Sequence, residues 1–255
     1  MQYFEDIYFS TYNAETENWS KSAMLEGAIN TKEHDANVSI SPDGKSIFIY
    51  KNNQVGKEKT AGGDIYVSKV GSSGRWGKPK EVSEVNSSYF ESSACISADG
   101  SKMFFTSESA DAFHKNIGGS DIYLVEKDTT GKWSSPKNIG NVVNTEGDEM
   151  GVFLHPDGKT LFFASNGHAE SFGGYDIYKT VFDKGAWTKP VNLGYPINTH
   201  KEEIFFVLST DGQTGFYTTQ RADSRKDGDI YQIDLKHYNV LTGETQKLGI
   251  LKGTV

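Results

Sequence analysis

Residues 155–178 read HPDGKTLFFASNGHAESFGGYDIY. An Asp-Gly pair (157–158) enters the apolar run LFFA, a polar glycine-rich loop follows, and a second β-prone run opens with Asp176-Ile177-Tyr178. Asp-Gly between apolar segments is a strong hairpin signal, because glycine takes the positive φ that the turn needs. The other arm of the hairpin is GVFLH (151–155). The same shape recurs in SPDGKSIFIY (41–50), SADGSKMFFT (97–106) and STDGQTGFYT (209–218), preceded by NVSIS, SACIS and FFVLS.

The repeat extends outward from this hairpin. Asp-Ile-Tyr begins at Asp6, Asp64, Asp121, Asp176 and Asp229, at intervals of 58, 57, 55 and 53 residues. The first four copies are followed by Trp19, Trp76, Trp133 and Trp187, and then by Asn30, Asn86, Asn144 and Asn198. Fourteen residues after each asparagine stands a turn glycine: Gly44, Gly100, Gly158 and Gly212. A Trp-x-x-Pro segment (76–79, 133–136, 187–190) reads as a fourth strand at the edge, where a missing N–H breaks no ladder bond; Ser22 replaces the proline in the first copy.

Four-stranded antiparallel units echoing at this period predict an all-β fold, a β-propeller. Four full repeats run from about residue 31 to 240, and residues 3–29 supply the last two strands of a preceding blade. The ring is expected to have five blades if the tail closes it, or to be part of a six-bladed ring with blades outside this sequence. Residues 1–240 are read as propeller, and 241–255 as a closing strand or the start of a following sandwich domain.

Composition narrows the function. Mean hydropathy is −0.55 with 13% aromatic residues, which suits many half-exposed strands and not a disordered chain. A net charge of −8 argues against nucleic acid, whose phosphates require a basic face. No stretch approaches the ~20 apolar residues of a membrane-spanning helix. No basic-then-apolar leader opens the chain and QYFEDIYFS (2–10) already reads as strand, so any targeting segment is expected upstream of residue 1. The single cysteine, Cys95, permits no internal disulfide. No glycine-rich loop follows a strand and opens a helix, so no nucleotide cofactor is expected.

The Pro-Asp-Gly turn, the aromatic strand after it and the glycine-led AGGDIY (61–66), IGGSDIY (117–123) and FGGYDIY (172–178) resemble the TolB-like, WD40-like propeller repeat. With the Trp-x-x-Pro segment, the chain resembles propellers of Bacteroidota OmpA-family envelope proteins, among them a type IX secretion component. The resemblance implies a periplasmic, outer-membrane-associated module with protein partners. It implies peptidoglycan contact only through domains not in this sequence. The end GILKGTV (249–255) resembles the first strand of the carboxypeptidase-regulatory-like sandwich that follows such propellers.

Several positions carry chemistry. Nine residues before each turn glycine stand Asp35, Glu91, Glu149 and Glu203, which would ring one mouth of the central channel. They read either as a site for calcium or a cationic peptide, or as repeated carboxylate-to-backbone clasps. A working ring predicts a carboxylate pKa raised by like-charge crowding. Asp6, Asp64, Asp121, Asp176 and Asp229 are expected to hold the loop before them, and the tryptophans to pack between blades. The variable loops at 51–63, 107–120, 165–174 and 219–228 are expected to share one face. They hold Phe113, His114, His168, Phe172, Arg221 and Arg225, the residue types of an interaction surface.

The six histidines occupy different repeat phases and form no metal pattern, and no catalytic residue is expected. The favoured function is a non-catalytic protein-binding scaffold. The alternative is a carbohydrate-binding or carbohydrate-active propeller in which His114, His168 and the acidic ring converge; a calcium-stabilised spacer is a third reading.

Overall fold

The computed structural model describes residues 6–31, 35–41, 43–52, 63–109, 116–221, 228–238 and 240–241. Among them there is strand and no helix, and no helix is long and apolar enough to cross a membrane. The N-terminal half unit comprises β1 (Tyr8–Phe9), β2 (Tyr12–Asn13), β3 (Asn18–Trp19) and β4 (Ala23–Met24). The first blade holds β5 (Asp35–Ile40), β6 (Ser46–Asn52), β7 (Gly63–Lys69) and β8 (Lys80–Glu81). The second holds β9 (Glu91–Ile96), β10 (Lys102–Ser107), β11 (Asp121–Glu126) and β12 (Lys137–Asn138). The third holds β13 (Glu149–Leu154), β14 (Thr160–Ser165), β15 (Asp176–Asp183), β16 (Ala186–Trp187) and β17 (Val191–Asn192). The fourth holds β18 (Glu203–Leu208), β19 (Thr214–Thr219) and β20 (Asp229–Asp234). Each blade is an antiparallel meander in chain order, and together they make a four-blade β-propeller.

The four hairpin turns carry their glycines at φ 68, 70, 73 and 72°, the left-handed conformation anticipated for Asp-Gly. In three of them a serine hydroxyl (Ser41, Ser97, Ser209) donates to the turn aspartate at 2.6 Å. His155 takes the serine's place in the third blade and accepts the Asp157 N–H on Nδ1 instead. Every inner strand also shows a register shift against its neighbour, at the same position in the third and fourth blades and within two residues of it in the first and second.

The edge strand differs from the sequence reading. Pro79, Pro136 and Pro190 do not lie inside it; a two-residue strand starts just after each, and the tryptophan makes its own bridge or short strand before it. The proline breaks one expected strand into two pieces.

Inner strands β5, β9, β13 and β18 pack side by side in that order, and the apolar core lies between blades. In the first and second blades the aromatic four residues past the turn glycine meets the tryptophan of the next, and in the third Phe162 meets Phe206. Phe48 shares a cluster with Trp133, and Phe104 meets Trp187 edge-on at 5.8 Å. The half unit repeats β15 through β17: Tyr8↔Met24 matches Tyr178↔Asn192. Its Ile7 and Ile29 pack on Ile47 and Ile49 of the first blade. Its Trp19 reaches Phe216 of the fourth blade at 6.0 Å. Among the described residues the half unit thus touches both the first and the fourth blade, as a pair of outer strands beside the four full blades.

Candidate functional site

The four acids lie at the head of the inner strands, and all are buried. Glu149 accepts the Thr145 N–H at 3.0 Å, the Thr145 hydroxyl at 2.7 Å and the Ser165 hydroxyl at 2.7 Å. Glu91 does the same with Ser87 and Ser107, and Glu203 with Thr199 and Thr219. Asp35 accepts from Thr31 and pairs with Lys51 Nζ at 2.8 Å. The signal for these clasps was in the sequence. A hydroxyl residue follows each repeat asparagine, and a second donor stands seven residues past each turn glycine.

These carboxylates spend their lone pairs inside their own blades. Among the described residues no group of three or more His, Cys, Asp or Glu is placed to hold a metal ion. The pKa values of Glu91 and Glu149 are raised, first by burial, while the like charges of Asp64 and Asp121 are the smallest contribution. Crowding is present, but desolvation is the main cause.

This sets a pH dependence. A carboxylate raised on folding destabilises the fold as it ionises, so Glu91 and Glu149 withdraw stability as pH rises from about 4.3 through their folded values. The turn aspartates act oppositely. Hydrogen bonds from Ser41, Ser97 and Ser209 hold Asp43, Asp99 and Asp211 low, Asp99 at about 2. Their contribution is full above about pH 4 and lost as pH falls through the folded values. Urea midpoints measured from pH 3 to 8 are expected to peak near pH 5; a midpoint still climbing at pH 8 contradicts the sign for the two glutamates.

Two of the repeat aspartates accept hydrogen bonds from the loop before them. Asp121 accepts from the Ile117 N–H at 2.6 Å and the Asn138 amide at 2.6 Å; Asp176 accepts from the Phe172 N–H and from Asn192. The repeat asparagines do more than the sequence suggested. Asn144 accepts the Ile122 N–H at 2.9 Å and donates to the Ile122 carbonyl at 3.0 Å. Asn30, Asn86 and Asn198 hold Ile7, Ile65 and Ile177 in the same way. Each amide side chain thus stands in for one residue of a neighbouring strand.

On the loop face, His168 is fixed: Nε2 donates to the Val143 carbonyl at 3.0 Å, and its ring packs on Tyr178 and Phe163. Burial lowers its pKa, so it is neutral near pH 7. Arg221 donates to the Pro196 carbonyl and the Tyr217 hydroxyl, both at 2.6 Å, and lies over the Tyr217 and Tyr231 rings. Phe172 is 56% exposed on the same loop as His168. Phe113, His114 and Arg225 lie outside the described residues. The sequence missed a groove of about 610 Å³ between the second and third blades, where Ile117, Val142 and Pro190 flank His168 and Lys189. Ile117 opens the same glycine-led run as Phe172, whereas Val142 matches Ala28, Glu84 and Pro196 in the other repeats, so no periodic signal marks the valine.

No family model and no curated protein matches the chain. Among solved structures, a TolB-type chain from Agrobacterium tumefaciens superposes with a TM-score of 0.50 at 19% identity, over 84% of this chain and 66% of that one. TolB from Acinetobacter baumannii gives 0.49 at 18% identity, over 89% and 46%. A puromycin hydrolase gives 0.47 at 12%, over 87% and 29%. The chain spans less than two thirds of the length of these proteins. At such identities the similarity shows the fold alone: the chain is similar to TolB-like β-propellers.

Proposed function

We propose that this chain is a non-catalytic, protein-binding scaffold of the cell envelope, facing the periplasm in an outer-membrane- and peptidoglycan-associated protein such as those of type IX secretion. The observation that carries the binding role is the loop-face groove. Val142 is 47% exposed, Ile117 38% and, on the adjoining loop, Phe172 56%, and a cluster of exposed apolar side chains on an otherwise polar surface marks an interaction site. The envelope location is supported by the likeness to TolB-like propellers. The carbohydrate-active alternative needs His168 and the acidic ring to converge, whereas His168 is held by Nε2 on the Val143 carbonyl and the ring acid Glu149 is buried on its own hydroxyl donors.

Capture from the source organism's envelope extract on the immobilised chain tests this reading. One near-stoichiometric protein is expected on the wild-type chain, reduced about tenfold by Val142→Asp with Phe172→Ala, a loss of apolar anchors in the range of interface hot spots. Equal capture by wild type and double variant would remove the groove from the interface.

A further inference from the structure

The second blade has no counterpart of His168. That histidine stands three residues past Ser165, the hydroxyl that clasps Glu149; three residues past Ser107, the hydroxyl that clasps Glu91, the sequence has Ala110. In the third blade the imidazole rests on Tyr178, with ring centroids 4.7 Å apart, and on Phe163 at 5.8 Å, while Nε2 donates to the Val143 carbonyl at 3.0 Å. The second blade builds the same walls. Phe105 and Tyr123 stack at 5.7 Å and 26°, as Phe163 and Tyr178 do at 6.0 Å and 24°. Val85 precedes the repeat asparagine as Val143 does. The Ser109 N–H donates to the Ser107 hydroxyl at 3.1 Å, as the Gly167 N–H does to Ser165. Between these walls lies a cavity of about 60 Å³, lined by Val85, Phe105, Ser109 and Tyr123 and flanked by Glu84 and Pro136. The flanking pair matches Val142 and Pro190 of the loop-face groove, so the cavity occupies the position that the imidazole fills as the groove's floor.

Ser109 adds what the third blade does not have at Gly167. It is 2% exposed, and its Oγ has no hydrogen-bond partner among the described residues. Buried hydroxyls are normally paired, and an unpaired one beside a cavity points to something that pairs with it. We propose that this cavity is a binding pocket for a neutral imidazole-type ring, a flat heterocycle with one N–H donor and one acceptor nitrogen. The ring lies on Phe105 and Tyr123 and donates its N–H to the Val85 carbonyl, as His168 does to Val143. Its second nitrogen accepts from the Ser109 hydroxyl. A neutral imidazole offers one donor and one acceptor, and the two walls supply the complement of both. The volume exceeds what a single water requires. The ring is that of a free heterocycle or of a histidine side chain, which share this chemistry. The pocket belongs to the second blade and does not rest on the groove at Val142 and Phe172.

Imidazole is the first probe, titrated at about pH 8, where the ring is neutral, into the isotope-labelled full chain and followed by amide NMR shifts. Saturable shifts centred on Val85, Ser87 and Ser109 are expected at millimolar concentrations, since so small a ligand has few atoms with which to gain affinity. N-methylimidazole keeps the ring and lacks the N–H; Ser109→Ala keeps the cavity and lacks the hydroxyl. Each is expected to weaken binding about two- to tenfold, the worth of one neutral hydrogen bond. His168→Ala is expected to open the matching pocket in the third blade and to add a second set of shifts around Val143 and Gly167. Capped Gly-His-Gly and Gly-Ala-Gly peptides separate the sources. Tighter binding of the histidine peptide than of imidazole assigns the pocket to a partner's side chain, and binding of imidazole alone assigns it to a free heterocycle. A wild-type chain without saturable shifts overturns the proposal. So do shifts that arise only after His114→Ala, which give the pocket to this chain's own histidine. Binding that is indifferent both to the missing N–H and to Ser109→Ala overturns it as well.

Discussion

Glu149→Ala is expected to destabilise the propeller by about 3–5 kcal/mol, the cost of leaving three buried donors without their acceptor. The carboxylate is fully buried and accepts three hydrogen bonds, from one backbone N–H and two hydroxyls. Alanine leaves all three donors without their acceptor and opens a void where the innermost strand meets the chain leaving the previous blade. Glu149→Gln separates charge from shape. Its carbonyl oxygen, in the place of Oε2, still accepts the Thr145 N–H, its amide, in the place of Oε1, donates to the Thr145 and Ser165 hydroxyls, and the loss falls to about 1–2 kcal/mol, two reversed neutral hydrogen bonds. Because the glutamine does not titrate, the fall in stability above pH 5 is also expected to become shallower. Urea melts of the two variants at pH 5 and pH 7 decide between the readings of the acidic ring. A stable Glu149→Ala chain that has lost a bound cation or cationic peptide would make the acid a ligand rather than a clasp.

The clasp shows what kind of information was legible. Anything that recurs once per blade is visible as a period: the Asp-Gly turn, the tryptophan between blades, the acid at the head of the inner strand. A period gives position and not partner. The acid's hydroxyl donors were four residues upstream and sixteen downstream, and in the first blade the downstream donor is Lys51 rather than a hydroxyl residue. The register shift is less legible still. It takes a left-handed residue in the third and fourth blades, Gly151 at φ 60° and Phe205 at φ 56°. Glycine there is readable, whereas phenylalanine there runs against backbone preference and follows only from the tertiary frame.

Breaks in symmetry were the least legible. The half unit could be recognised, but its neighbour beyond the first blade could not, because its contact with the fourth, Trp19 to Phe216, joins residues with no local relation. The exposed Ile230 reads from sequence as one more buried isoleucine of the motif; it is 78% exposed where, among the described residues, no further inner strand packs on the fourth blade. The interaction surfaces lie at such departures. A repeated residue answers a need that every blade has, while a site needs a feature that one sector has alone.

The second large effect is expected at Asn144, and it tests whether that rule holds for the most regular device in the chain. Asn144 is 1% exposed and serves both backbone groups of Ile122, itself fully buried, while its amide also donates to Asn138 at 2.8 Å. In Asn144→Ala the Ile122 N–H and C=O are left in the core with no water to replace the amide. Two unpaired buried backbone groups at about 1–3 kcal/mol each set the expected loss at about 3–4 kcal/mol. Asn144→Asp keeps the acceptor and loses the donor, and it sets a charge against the Ile122 carbonyl, so its loss is expected to be at least as large near pH 7 and to shrink on acidification. Asn30→Ala makes the internal comparison. It breaks the same pair of bonds to Ile7, at 2.8 and 3.1 Å; Ile7 is itself buried, but the two short strands beside it are exposed and give water a path to the freed groups, so about 1 kcal/mol is expected. Urea titrations of the three variants measure these values. Equal losses at Asn30 and Asn144 would mean that burial does not set the cost and that each asparagine acts through local chain geometry. A ratio near three would make the asparagine a buried substitute for a strand residue, whose worth depends on how complete the blade around it is.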